Sequence, residues 1–524
     1  MSIAPGVRGF NGRARIPFIM VDIRMKRHSP RLYGAALLAL ACSARADVRL
    51  PYLIADHMVA QRDCPVHIWG KADPGEPVSV EFRGASAKSV ADELGQWSVY
   101  LPPGESGGPF SMTIRGANTV TLRDILVGDV WVASGQSNME WPVARADDAP
   151  EAIANARRPR LRLVRAMHKV SEYPLENLVG EMWRESTPES AADFSAVAYH
   201  FGRLLEEHLD VPIGLIQTAW GGTPLDAWTS LGAISREPAL MPVIAEWNKL
   251  MEQYAAALLK YDRAAKDWEA AAAGTKAEGK APPPVPEKPV GPGGPRAPGG
   301  LFNAMVAPIT GYAIRGVIWY QGEANATDER APAYERLFQA MIRDWRQAWG
   351  LGDFPFLFVQ LANYRAPADS AWPELREAQR QALSLRNTAM AVTIDIGTPE
   401  NIHPPDKKTV GLRLSLAARA LAYGEAIEYS GPLPRQVTTE RGALRVWFDH
   451  ASGLTARGGV VHGFEIAGRQ KKFVAAEARI EGGTVVVRSE AIERPAYLRY
   501  GWKDNPDCNL FNSAGLPASP FQWP

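Results

Sequence analysis

The stretch Asp124-Ile125-Leu126-Val127-Gly128-Asp129-Val130-Trp131-Val132-Ala133 runs, through Ser134, straight into Gly135-Gln136-Ser137-Asn138-Met139-Glu140. Apolar and β-branched residues dominate the first part and no proline interrupts it, which predicts a strand. A glycine just past its carboxyl end lets the backbone turn sharply, so the Ser137 hydroxyl is expected beyond the edge of a sheet, where α/β folds present nucleophiles. Such a serine also serves as a turn or helix cap. Its reading therefore depends on what the rest of the chain brings beside it.

Outward from this strand, further apolar runs alternate with helical patterns. Strands are expected at Ile125–Ala133, Pro212–Thr218, Ile314–Tyr320, Pro355–Gln360 and Met390–Asp395, and helices of 3.6 period at Ala196–Leu209, Ala333–Trp349 and Trp372–Leu385. This alternation predicts an α/β domain over 123–426, with a mostly parallel sheet covered by helices and ligands bound past the carboxyl ends of its strands. Short alternating runs and Pro/Gly turns predict a β-sandwich-like domain over 47–122 and a second β region over 427–524. An insertion at 237–300 divides in two. Glu237 to Ala273 reads as a helix or helical hairpin with a packing stripe of Trp247, Leu250, Tyr254, Leu258 and Tyr261, and Ala281 to Gly300 as an exposed polyproline-like linker.

At 524 residues, 46% hydrophobic and 22% charged, the chain has the composition of a globular protein of two or three domains, with 16 Trp as flat apolar surfaces. Residues 1–46 read as a leader and secretory signal: a basic Met25-Lys26-Arg27, an apolar Tyr33 to Ala41, and Ala44-Arg45-Ala46 before Asp47. That segment carries eight Lys/Arg and one Asp, so of the chain's formal +1 it accounts for +7, leaving about −6 for the exported part. A mildly acidic mature chain disfavours nucleic acid and anionic membranes as partners, and no other stretch is long and apolar enough for a membrane span. The expected location is periplasmic or secreted, where Cys64 and Cys508 could pair.

An activated serine needs a base, and histidine suits the task. In the α/β region His168, His200, His208 and His403 are available. His200 and His208 sit on a helix pattern, whereas His403 lies in a loop after the last apolar strand candidate, at the same sheet edge as Ser137. Two more polar loops follow strands: Ala219-Trp220-Gly221-Gly222-Thr223 and Gln321-Gly322-Glu323-Ala324-Asn325. Their glycines let N–H groups approach a developing oxyanion.

The four blocks GQSNM (135–139), WGGT (220–223), WYQGEAN (319–325) and IHPPDK (402–407), in this order, resemble the SGNH hydrolase superfamily, specifically the sialate O-acetylesterase-like carbohydrate esterases. The resemblance implies an SGNH-type three-layer fold, with Ser137 as nucleophile and His403 as base. It implies an oxyanion hole of the Ser137 N–H, a Gly221 or Gly222 N–H and the Gln321 side-chain amide, braced by Asn138 and Glu323. It also implies removal of acetyl groups from mono-, oligo- or polysaccharide without metal or cofactor; the substrate is expected to be sialate or, in a second reading with the same machinery, a plant polysaccharide such as xylan or xyloglucan. The chain departs from the pattern at Asn401-Ile402-His403, where many relatives read Asp-Ile-His. Glu400, which keeps an acid-x-x-His spacing, is the expected third triad member, with Asp395 and Asp406 as alternatives and a Ser137–His403 dyad as the remaining case. The alternative of another class is a carbohydrate-binding protein without catalysis.

Overall fold

The computed structural model describes residues 47–277 and 281–523; the expected leader at 1–46 lies outside them. The strand that opens the argument is longer than the sequence suggests, spanning Thr119–Gly135. It sits inside a sheet whose strands run in the order Thr388–Ala391, Phe356–Val359, Gly316–Tyr320, Thr119–Gly135, Ile213–Ala219, Arg158–Arg165 and Arg184–Ser186. All neighbours are parallel except the last, which is antiparallel to Arg158–Arg165. The inner strands are buried throughout, as a sheet covered on both faces requires. Helices do cover both. Trp131 meets Phe201 of the helix Ala196–Leu209 edge to face, whereas Ser134, three residues on and so on the opposite face, is paired with Trp319, which packs on Phe338 and Trp345 of the helix Ala331–Trp349.

The lower half of the long strand is shared with the amino-terminal β region. Val59–Gln61 pairs with it in parallel and Gly107–Arg115 antiparallel, and Pro77–Phe82 and Ala85–Val90 extend the same sheet. The strand thus runs unbroken across position 122, where a boundary was expected. A hairpin of Val66–Lys71 and Gln96–Leu101 forms a separate two-stranded sheet. Midway along the strand Asp129, fully buried, accepts hydrogen bonds from Gln61 Nε2 (3.0 Å), Arg62 (3.0 and 2.9 Å), Arg315 (3.1 and 3.0 Å) and the Tyr423 hydroxyl (3.0 Å). Burial alone would raise its pKa; the Arg62 hydrogen bonds and the two guanidinium charges hold it below the ordinary carboxylate value.

The carboxyl-terminal strands form two four-stranded antiparallel sheets around their own core, which includes Val446, Phe464, Val485, Tyr500 and Phe521. They are fastened to the α/β region by Gln360 Nε2 on Ser519 Oγ (3.0 Å) and by Arg376 on the Lys503 and Asp504 carbonyls (2.8 and 2.6 Å). Cys64 and Cys508 are both free thiols.

The insertion begins with one helix of 37 residues, Met241–Ala277. The Pro/Gly run after it is less exposed than its composition suggests. Trp268 Nε1 donates to the Pro283 carbonyl (2.8 Å), and a Cβ at Gly291 would lie 1.9 Å from the Tyr254 ring, so the aromatic stripe of the helix is what this segment packs on. Among the described residues no helix is long and apolar enough to cross a membrane.

Candidate active site

The turn after the long strand is built for one residue type at one position. Gly135 has φ 136°, and a Cβ there would stand 2.1 Å from the Tyr320 carbonyl oxygen, so only glycine fits. The Gln136 N–H donates to that same carbonyl (2.9 Å), and its side-chain oxygen accepts from the Ala324 N–H (3.1 Å), which stitches the serine turn to the Gln321–Asn325 loop. Ser137 then opens the short helical turn Ser137–Glu140, and its own N–H, at the first helical position, has no intrahelical acceptor.

His403 Nε2 lies 2.8 Å from Ser137 Oγ. The imidazole stacks on Trp141 (centroids 5.1 Å, planes at 23°), and its backbone N–H donates to Asn401 Oδ1 (2.9 Å). Burial, then the charges of Lys407 and Arg145, push its pKa below 6.5, so the ring is neutral at neutral pH. The Arg145 guanidinium stands 3.8 Å over the other ring system of this group, Trp141. A cleft of about 380 Å³ opens at Ser137 and His403, walled by Glu140, Trp141, Arg145, Arg165 and Asp193.

Beneath the pair, the Asn138 amide joins three chain segments. Nδ2 donates to Glu323 Oε1 (2.5 Å) and to the Ile402 carbonyl (3.0 Å), and Oδ1 accepts from Lys407 Nζ. The residue after the serine thereby holds the residue before the histidine. Lys407, 1% exposed, opens the helix Lys407–Tyr423, for which Asp406 is the N-cap through the Thr409 N–H (2.9 Å). Its ammonium lies over Tyr320 (5.4 Å) and Trp141 (5.6 Å). Burial brings its pKa down to about 7 against the opposing pull of Glu323, Asp406 and Asp147. Burial likewise raises the Glu323 carboxyl, whose Oε2 has no partner among the described residues.

The other expected residues fall in different places. Gly221 lies against Ser137, but its N–H donates to Glu140 Oε2 (2.7 Å). The other oxygen of Glu140 pairs with His168 Nε2 (2.7 Å), and His168 stacks flat on Trp220 (4.2 Å). A Cβ added at Gly222, at φ 72°, would meet nothing within 4 Å, and the Gly222 carbonyl accepts from Arg296 Nε (3.3 Å). Gln321 is fully buried: its Nε2 donates to Asn325 Oδ1 (2.8 Å) and the Thr223 carbonyl (3.3 Å), while its Oε1 accepts from the Tyr334 hydroxyl (3.0 Å). Glu400 is not brought to the histidine. It is 71% exposed and faces Arg365 at 3.5 Å. Asp395 is held by Arg413 through two bonds of 2.7 Å, and among the described residues nothing hydrogen-bonds to His403 Nδ1.

Sequence reasoning missed Trp141, Lys407 and the Glu140–His168 pair. Glu140 and Lys407 stood at the edges of the quoted blocks, and a charged residue at a motif edge reads as solvated. Nothing in the chain signalled that Tyr320 and Trp141 would enclose the lysine.

A family model for carbohydrate esterases described as sialic acid-specific acetylesterase matches residues 127–273 and 296–422. It therefore runs through most of the long inserted helix and breaks only around the Pro/Gly segment. The sialate O-acetylesterase of Mus musculus is 31% identical over 94% of this chain and 97% of its own, and that of Homo sapiens 30% identical over 91% and 93%. A crystal structure of a carbohydrate acetylesterase from Xanthomonas citri superposes with a TM-score of 0.78 at 40% identity, covering 91% of this chain and all of the other.

Proposed function

We propose that the chain, which belongs to the sialic acid-specific acetylesterase family of carbohydrate esterases and is a carbohydrate O-acetylesterase, works through an acetyl group carried on Ser137. The observation that carries this reading is the 2.8 Å contact between Ser137 Oγ and His403 Nε2 in an open cleft. Ser137 Oγ attacks the acetyl carbonyl carbon while His403 Nε2 takes the hydroxyl proton. The tetrahedral oxyanion faces the Ser137 and Gly222 N–H groups, neither of which has a protein acceptor among the described residues. Collapse breaks the bond to the sugar oxygen, which leaves with the proton from His403. A water, deprotonated by the same nitrogen, then releases acetate and restores Ser137.

The base works without a carboxylate on Nδ1. Its ring is held by Trp141 and by the Asn138–Ile402 clamp, and burial, followed by the charges of Lys407 and Arg145, disfavours the imidazolium. Lys407 is a positioning residue that acts through Asn138. Gln321 and the Gly221 N–H are not oxyanion donors in this reading, because their donors are already committed. The enzyme is exported by its leader, and its substrate is an O-acetylated sialate or an acetylated plant polysaccharide such as xylan or xyloglucan.

Acetate release from a panel of these acetylated sugars ranks the substrates. Rapid quenching during turnover of a chromogenic acetate ester, followed by peptide mass spectrometry, finds the acetyl group on Ser137. Absence of that adduct, together with failure of a serine-directed phosphonate to label Ser137, defeats the mechanism.

A further inference from the structure

A larger cleft, of about 850 Å³, lies away from Ser137 and is used by nothing described so far. One wall is the outer face of the hairpin Val66–Lys71 and Gln96–Leu101; Arg49 to Pro51, Glu176 and Asn177 form the others. Register puts His67 opposite Tyr100, Trp69 opposite Ser98 and Lys71 opposite Gln96 on that face. The three rings form a pile, with His67 between Trp69 (4.8 Å, 19°) and Tyr100 (4.5 Å, 10°). Each outer ring therefore keeps one face turned away from the histidine. The small Ser98 across from Trp69 leaves a trough beside the indole rather than a filled surface. Tyr100 is 64% exposed, an unusual position for an aromatic ring with no ligand to cover it.

The pile is fixed rather than adaptable. His67 Nδ1 is hydrogen-bonded to the Gly311 carbonyl (2.9 Å), and Gly70 is the only residue type that clears both the Arg49 carbonyl oxygen and the Trp97 indole, at 2.3 and 2.9 Å from an added Cβ. Trp97, 3% exposed, lines the same cleft, and its Nε1 has no partner among the described residues. Around the rings stand Lys71 paired with Glu176, Gln96 within 3.4 Å of Glu176, and Asp92. Rigid flat rings bordered by close-set donors and acceptors of both signs match a pyranose, whose axial C–H groups lie on an aromatic face while its equatorial hydroxyls reach outward. A purely apolar ligand would leave the charged rim unmatched, and a strongly charged one would find Lys71 and Glu176 already cancelling each other.

We propose that this cleft is a second saccharide-binding site, which holds a stretch of glycan remote from the ester being cleaved. The choice of a saccharide rests on the esterase reading above; binding at the cleft needs no turnover. Gly311 precedes the amino end of the strand Gly316–Tyr320, whereas Ser137 follows the carboxyl end of its neighbour, so the two sites sit at opposite ends of the sheet and only an extended glycan reaches both. Occupying both raises the local concentration of ester groups near Ser137 without altering the chemistry there.

The test uses the full chain. Affinity electrophoresis through gels containing xylan or xyloglucan, run with the Ser137→Ala variant so that nothing is hydrolysed, should show retardation by at least one polymer, weakened roughly fivefold when Tyr100→Ala is added. Tyr100 is exposed, so this change leaves the fold intact; Trp69→Ala should do the same and is checked for folding by its melting curve. In the active enzyme, Tyr100→Ala should lower kcat/KM on that acetylated polymer by a similar factor and leave a chromogenic acetate ester untouched. Retardation by none of the polymers, or retardation that survives Tyr100→Ala, overturns the proposal. So does an equal loss on polymer and small ester. A failure of the mechanism at Ser137 is separate, because it shows as hydrolysis of the small ester that survives Ser137→Ala, whatever the effect of Tyr100→Ala on retardation.

Discussion

Two buried polar clusters hang on the same long strand, and they are built to opposite rules. Around Asp129 the carboxylate has two arginines, an amide and a hydroxyl, its pKa is held down, and no lone pair is left over for chemistry. Past the strand's carboxyl end, Asn138 bridges Glu323 and Lys407, with Glu323 Oε2 unmatched, the acid's pKa raised and the ammonium's lowered to about 7. A satisfied buried charge fastens three segments together and is finished. An under-satisfied pair is a standing cost that a fold carries where it sets the protonation and position of reacting groups.

The contrast breaks first at the serine. Ser137→Ala should reduce kcat by as much as about 10⁶ with an unchanged melting temperature, since a triad serine in an unrelated protease is worth that much. Retention of more than roughly a tenth of the activity would mean that the cluster beneath Ser137 serves something other than this hydroxyl.

At the other cluster the expected loss is in stability. Asp129→Asn strands two partly buried guanidinium groups and should cost roughly 3 kcal/mol, read by chemical denaturation, while kcat of the folded fraction stays normal. Because the folded pKa of Asp129 lies below 3.8, its contribution is fully present above that pH and is lost as the pH falls through the folded value. A mutant whose stability deficit persists unchanged under strongly acidic conditions would show that the carboxylate is not the fastener.

Lys407→Met should do the reverse. A lysine with a folded pKa near 7 and an ordinary value of 10.5 burdens the fold below pH 7, and that burden is relieved as the pH rises from 7 to 10.5. The methionine variant should therefore be at least as stable as the parent at pH 6, yet lose roughly 10- to 100-fold in kcat with little change in KM, as for the loss of a supporting residue. Removing the charge also lets the pKa of His403 rise toward 6.5, so the acid limb of kcat/KM moves to higher pH. Lys407→Arg should bring the limb back. An unmoved limb reduces Lys407 to packing.

The smallest effect is expected at Glu400. Exposed and facing Arg365, Glu400→Gln should leave kcat within about twofold, against the roughly 10⁴ that losing a true triad acid costs in a serine protease. A loss of that size would restore the carboxylate to the mechanism.

Much of this architecture can be read from the chain, because the inner strands are uninterrupted apolar runs bounded by polar loops. The four loops of the site were visible for the same reason. Arg158–Arg165 escaped notice because arginine occupies alternate positions at its start, and the partners of Arg158 and Arg160, Glu206, Glu207 and Asp210, lie in and just beyond a helix 46 to 50 residues further on. Glu400 shows the limit of spacing arguments. Three residues suffice to bring an acid beside a histidine on a helix, but here a bridge between Thr398 and Asn401 turns the loop outward. Lys407 was illegible because its burial depends on Tyr320 and Trp141, which come from two other segments.

The unbroken strand Thr119–Gly135 also says something about the order of events when the chain is made. Its first half pairs with Gly107–Arg115, immediately upstream, and with Val59–Gln61, so that half can be templated by residues already synthesised. Its second half must wait for Thr218, 84 residues from Ser134, and the turn that follows it for Glu323, 185 residues from Asn138. Closure of contacts so distant in sequence is slow. Ser137 thus stands at the end of a strand whose first half pairs with nearby chain, whereas its surroundings draw on Tyr320 and His403 from far along the sequence.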